Sequence, residues 1–246
     1  MNEMTNIQDR DAGACGGLRH AQLLAFDADD TLWDNQSYFE SVERAYCDLL
    51  APYGSADEVS EALFGIETAN MPLLGYGCKA FTISLVENAL GMSGGRIGTD
   101  DVQQIVELGK SLLSLPALPL PGVAETLRAL RALQRYKLVV FTKGETLDQQ
   151  NKLERSGLAP WFDDIVVVAE KTQREYARLC SLFDTDISRM VMVGNSFKSD
   201  IEPVLQLGGY AVHIPFHVTW RLEQAEEYDH GHLCRIAQFS DLLQLL

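Results

Sequence analysis

The chain of 246 residues, 46% of them hydrophobic, has the length for one conventional domain with an insert and enough apolar side chains for a buried core. Its 35 Asp and Glu against 20 Lys and Arg give a net charge of −15, which opposes binding to nucleic-acid backbones and to anionic lipid surfaces. The longest apolar stretches, such as Leu138 to Phe141 and Ile165 to Ala169, fall far short of the roughly 18 residues of a membrane-crossing helix, and five scattered cysteines without a Cys-x-x-Cys pair indicate neither a disulfide framework nor a zinc site.

Residues 1–20 carry Glu3, Asp9 and Asp11 and no apolar segment of the kind a secretion signal needs, so they read as a loose N-terminal tail and the protein as soluble and cytoplasmic with free thiols. Leu23 to Phe26 reads as a short strand that stops at the acidic run Asp27-Ala28-Asp29-Asp30-Thr31. Residues 35–116 are helical in period, starting with Tyr38, Phe39, Val42, Ala45, Tyr46, Leu49 and Leu50 on one face. Three further helices are predicted there: Ser55 with Glu58 forms a capping-box signature, Gly91 is placed to end the third helix, and Thr99 to cap the fourth. Pro116, Pro119 and Pro121 then break the helical pattern, as a hinge would.

Beyond Gly122 helices alternate with apolar strands at Lys137 to Phe141, Ile165 to Val168, Met190 to Val193 and Tyr210 to Ile214. Alternation of this kind means a parallel sheet with right-handed crossovers and helices on both faces. The fold class is therefore α/β: a Rossmann-like, doubly wound core of residues 21–34 and 117–246, interrupted by a helical cap of residues 35–116.

In such sheets the ligand site lies at the C-terminal ends of the strands. There the chain places Asp27, Asp29 and Thr31, then Thr142, Lys143 and Gly144, then Lys171, and finally Gly194, Asn195, Ser196 and Asp200. Three gathered carboxylates repel one another without a cation, which implies a divalent metal, and a set of hard oxygens suits Mg²⁺. Hydroxyl and amide donors at Thr142 and Gly144, with the Lys171 ammonium, have the sign needed to hold phosphoryl oxygens. The side chains of Lys143 and Lys198 are expected to be exposed. His213 and His217 are separated by Pro215, so they do not share a helix face and do not suggest a metal pair.

Asp27-Ala28-Asp29-Asp30-Thr31 resembles the first motif, Asp-x-Asp-x-Thr, of phosphatases in the haloacid dehalogenase superfamily. Thr142-Lys143-Gly144 resembles the second motif, Lys171 the third, and Gly194 to Asp200 the fourth, usually Gly-Asp-x-x-x-x-Asp; the helical insert resembles the C1-type cap. The resemblance implies that Asp27 is the nucleophile and forms an aspartyl phosphate, and that Asp29 is the acid and base while its carbonyl binds metal. It further implies that Asp27, Asp29, Asn195 and Asp200 bind Mg²⁺, and that Thr142, Lys143, Gly144 and Lys171 bind phosphate. Asn195 replaces the usual acid and Asp30 a common Gly. The expected reaction is hydrolysis of a small phosphorylated metabolite, and the oligomeric state is not legible. A haloacid dehalogenase is the first alternative, disfavoured by the acid at Asp29; a phosphomutase or a non-catalytic phospholigand module are the others.

Overall fold

A computed structural model describes residues 16–246. The expected tail lies outside the described residues up to position 15; Gly16–His20, assigned to it, instead form a short 3-10 turn that buries Leu18. The chain divides into two compact units, one formed by residues up to 34 with 117–143 and 149–246, the other by residues 35–116 with 144–148.

The first unit is built on a wholly parallel sheet with strands β1 (Leu23–Phe26), β2 (Lys137–Lys143), β3 (Asp164–Val168), β4 (Met190–Gly194), β5 (Tyr210–His213) and β6 (Leu233–Arg235), in the order β3-β2-β1-β4-β5-β6. The alternating side chains of the central strands feed two separate cores. Leu24, Phe26, Leu138, Val140, Val191 and Val193 face one layer, whereas Leu23, Ala25, Val139, Phe141, Met190 and Met192 face the other. Burial on both faces explains why β1 and β4 read as unbroken apolar runs rather than as alternating ones. β6 was not predicted: three residues, Leu-Cys-Arg, are too few to show a period.

The chain passes from β1 to β2 and β3 on one side and returns to β4 and β5 on the other, so the topological switch lies at β1. Phe26 is in register with both Val140 and Val193, which brings the residues that follow β1, β2 and β4 to one crevice.

The second unit contains α1 (Gln36–Leu49), α2 (Ala56–Leu74), α3 (Cys78–Ser93) and α4 (Thr99–Leu112), packed around Tyr46, Leu63, Phe81, Leu85 and Ile105. Ser55 and Glu58 form the expected reciprocal capping box. Gly91, however, stays inside α3, which ends on Gly94 in the left-handed region (φ 58°). Thr99 is the first helical residue of α4 rather than its cap, which is Gly98. Residues 144–148 join this unit through an ion pair between Lys79 and Glu145 and a Cys78 Sγ to Asp148 Oδ2 contact of 3.6 Å.

In the first unit α5 (Val123–Ala132), α6 (Thr146–Arg155, whose first turn belongs to residues 144–148), α7 (Gln173–Leu182), α8 (Glu202–Gln206) and α9 (Leu242–Leu245) flank the strands. Among the described residues no helix is long and apolar enough to cross a membrane. Cys47, Cys78 and Cys180 are buried free thiols, as expected, whereas Cys234 on β6 is disulfide-bonded.

Candidate active site

Asp27 follows β1 directly, its N–H bonded to the Val193 carbonyl at 2.9 Å, so the backbone itself ties it to the end of β4. The next residues turn tightly: Leu32 N–H donates to Ala28 O at 2.8 Å and Asp30 N–H to Trp33 O at 2.8 Å. Asp30 has φ 62°, a left-handed conformation that Asp tolerates and that glycine adopts freely, which accounts for its place in a motif where glycine is common. Thr31 is buried, and its hydroxyl lies 3.2 Å from Asp27 Oδ2 and 3.1 Å from Asn195 Oδ1.

Lys171, just beyond β3, is 3% exposed, and its ammonium donates to Asp200 Oδ1 at 2.6 Å and to Asp27 Oδ1. Burial, and then the Asp200 carboxylate, push Asp27 up to about 7 in spite of Lys171. Burial works against the charge of Lys171 too, but Asp200 and Asp27 outweigh it and hold the ammonium above its ordinary range. Two buried carboxylates thus share one cation, leaving an excess negative charge at the end of β1.

Asp200 is fully buried on the single π-helical turn Phe197–Ile201 that follows β4. Its Oδ2 accepts the Ser196 N–H at 2.9 Å, and Tyr176 on α7 donates its hydroxyl to the carbonyls of Ser199 (2.8 Å) and Asp200 (3.2 Å). His213, at the end of β5, is buried and donates Nε2–H to the Asn195 carbonyl at 3.0 Å. Gly194 leaves the room this turn needs: a Cβ there would lie 2.3 Å from Asp200 Oδ2. Gly194→Ala is expected to displace Asp200 and lower kcat by at least ~10²-fold, read against a circular-dichroism spectrum that stays native.

Thr142 is buried within β2, and its hydroxyl donates to the Lys143 carbonyl at 3.3 Å. Gly144 has φ 121°, a backbone that favours glycine, and belongs to the helical unit. Lys143 departs from expectation: only 12% of its side chain is exposed, and its ammonium meets Glu223 Oε1 at 2.5 Å and Ser199 Oγ at 2.8 Å. The other Glu223 oxygen accepts from Ser196 Oγ and Ser199 Oγ, both at 2.6 Å. Lys198 is exposed as expected and caps the Leu222 carbonyl at 2.6 Å.

Burial opposes the charge of Glu223, yet the Lys143 charge and the bonds from Lys143, Ser196 and Ser199 bring its carboxyl down to about 2. Its contribution to stability is therefore present above the unfolded value near 4.5 and is lost as pH falls toward about 2. Glu223→Gln is expected to be destabilised at pH 7 by about 3 kcal/mol, because the largely buried Lys143 ammonium loses the Glu223 charge. Its unfolding free energy should fall less steeply than wild type between pH 5 and pH 3 in urea titrations at each pH.

Sequence reasoning missed Glu223, 80 positions from Lys143, and two residues of α6, Gln149 and Lys152. Lys152 lies 3.1 Å from both oxygens of Asp29, Gln149 Nε2 lies 2.8 Å from Oδ2, and Trp33 Nε1 lies 2.7 Å from Oδ1. The signal was the composition of α6, Thr-Leu-Asp-Gln-Gln-Asn-Lys-Leu-Glu-Arg, which lacks an apolar stripe and exposes Leu147 while burying Gln149 and Lys152.

The family model of haloacid dehalogenase-like hydrolases matches residues 21–208. A glyceraldehyde 3-phosphate phosphatase of Methanocaldococcus jannaschii is 29% identical over 202 residues, covering 78% of this chain and 83% of the relative. The pyrimidine 5'-nucleotidase YjjG of Escherichia coli is 30% identical over 192 residues, covering 72% and 79%. A haloacid dehalogenase-like family hydrolase of Xanthomonas campestris, solved by crystallography, has a TM-score of 0.82 and 35% identity over 92% of both chains. The chain belongs to the haloacid dehalogenase-like hydrolase family. It is an enzyme of that hydrolytic class, on a parallel, Rossmann-like core.

Proposed function

We propose that this chain is a magnesium-dependent phosphatase that hydrolyses a small phosphorylated metabolite through an aspartyl phosphate on Asp27. The observation that carries the reading is the buried group Asp27, Lys171 and Asp200 at the switch point of the sheet. The two curated relatives add support, since both bear names of enzymes acting on small phosphorylated molecules.

Among the described residues no three His, Cys, Asp or Glu side chains gather as a metal group. The donors are instead the carboxylates of Asp27 and Asp200, the amide oxygen of Asn195 and the main-chain carbonyl of Asp29. These hard oxygens fit Mg²⁺, which takes one or two carboxylates and keeps other positions for water and phosphate. Burial first, and then repulsion from Asp200, disfavour the charge of Asp27, and such a cation offsets both. When bound, Mg²⁺ supplies positive charge to the phosphoryl oxygens.

The chain's own residues divide the remaining work. A carboxylate oxygen of Asp27 attacks phosphorus; a P–O bond to Asp27 forms as the P–O bond to the ester oxygen breaks. Asp29 gives its proton to the departing alkoxide, then takes one from the water that attacks the aspartyl phosphate, releasing inorganic phosphate and restoring Asp27. Lys171, the Thr142 hydroxyl and the main-chain amides of Lys143 and Gly144 hold the phosphoryl oxygens as their charge shifts. Cytoplasmic residence belongs to the same reading, with metabolites as substrates.

Hydrolysis of p-nitrophenyl phosphate tests the reading. Turnover is expected with Mg²⁺, lost on addition of EDTA and restored by excess Mg²⁺. Glyceraldehyde 3-phosphate and pyrimidine nucleoside 5'-monophosphates follow as the first metabolites of a panel. No turnover of any of these by the folded, Mg²⁺-supplied protein overturns the reading, as does halide release from 2-haloacids without metal.

A further inference from the structure

We propose that Lys152 and Gln149 are positioning residues for Asp29, fixing from buried sites on α6 the orientation in which its carboxyl group meets the leaving-group oxygen. The proposal rests on the reading of Asp29 as the acid and base.

Four bonds from three side chains reach the two oxygens of the Asp29 carboxyl. Oδ1 takes Trp33 Nε1 at 2.7 Å and Lys152 Nζ at 3.1 Å; Oδ2 takes Gln149 Nε2 at 2.8 Å and Lys152 Nζ at 3.1 Å. Lys152 bridges both oxygens and so sets the plane of the carboxyl, while Trp33 and Gln149 approach one oxygen each and stop it rotating about its bond to Cβ. The side chain of Asp29 remains 25% exposed, whereas that of Lys152 is 2% exposed.

Two features argue that this arrangement serves more than folding. A lysine on the inner face of a helix is a poor choice for stability, because an apolar residue of like volume avoids the loss of ammonium hydration. Gln149 is also left incomplete. Its amide nitrogen donates to Asp29 and, at 3.1 Å, to the Lys143 carbonyl, while its own Oε1 is buried without a hydrogen-bond partner. A buried acceptor left unpaired is costly, and here it is the consequence of turning the amide nitrogen toward Asp29 and the Lys143 carbonyl.

The chemistry explains the need. One carboxyl group must act on the departing oxygen and afterwards on water, so its position has to persist between the two steps, within hydrogen-bond reach of both. A misplacement of ~1 Å in such a group costs on the order of 10²-fold in rate.

The test compares kcat/KM on two esters, because kcat/KM includes steps only as far as loss of the leaving group. p-Nitrophenyl phosphate has a good leaving group that needs little protonation; the best alkyl ester of the panel has a poor one that depends on the acid. Lys152→Met is expected to lose ~10- to 100-fold on the alkyl ester and less than ~3-fold on the aryl ester. Gln149→Met should show a smaller loss of the same selectivity, and Lys152→Arg should regain part of the alkyl rate. Equal losses on both esters, or none, overturn the proposal. Should Lys152→Met fail to fold, Gln149→Met and Trp33→Phe, which removes only the indole N–H, decide by the same comparison. Asp29→Asn is the reference: if its own loss is not greater on the alkyl ester, the acid role falls and the proposal with it. If Asp29→Asn is selective while the α6 variants are not, the positioning role alone is overturned.

Discussion

Asp27→Asn is expected to reduce Mg²⁺-dependent turnover of p-nitrophenyl phosphate by ~10⁴-fold or more, since in the proposed mechanism it removes the attacking oxygen. The same change should not weaken the fold. Burial and the neighbouring Asp200 already disfavour a charge at Asp27, so a neutral amide of equal size relieves repulsion while its oxygen still accepts from Lys171 and its N–H donates to the Thr31 hydroxyl oxygen. Thermal unfolding without metal should therefore place the variant at or above the wild type. Loss of activity with a raised or unchanged midpoint assigns the residue to chemistry; loss of both assigns it to structure.

Lys171→Met is expected to produce the opposite pairing of effects. Its ammonium is the shared partner of Asp27 and Asp200, all three buried. Without it two carboxylates face each other unneutralised, a penalty of about 3–5 kcal/mol when one member of a buried pair is removed. Turnover should fall by ~10²- to 10³-fold as a donor to the phosphoryl oxygens disappears. Mg²⁺ then becomes the remaining means of neutralising the carboxylates, so adding it should raise the unfolding midpoint of the variant by more than it raises that of the wild type. An equal shift in the two proteins would mean that the cation does not sit between these carboxylates.

The core strands and the ordering of the site were legible because each strand is short, apolar and followed at once by polar residues, and because parallel pairing brings those ends together. Asp27, Thr142, Lys171 and Asp200 could be found in this way without any knowledge of contacts. Lys152, Gln149 and Glu223 could not. Each acts from a helix or turn rather than a strand end, and each is defined by a partner far along the chain: Asp29 lies 123 residues from Lys152, and Lys143 lies 80 from Glu223. Charged side chains on an amphipathic segment are read as solvated unless a buried partner is known. The ends of α3 and α4 were misread for a local reason, since Gly91 and Thr99 are compatible with both helix interior and helix end.

The family match stops at residue 208, yet β5 begins at Tyr210 and β6 lies beyond it. The matched segment is consequently not a folding unit. Cut there, β4, whose Met-Val-Met-Val-Gly run is buried along its whole length, would become the rim of the sheet, with a row of unpaired amides and carbonyls beside apolar side chains. Such a rim is a template for pairing with other chains. The C-terminal segment thus covers the apolar edge of β4, a duty separate from the Glu223 contact that it also brings to the crevice.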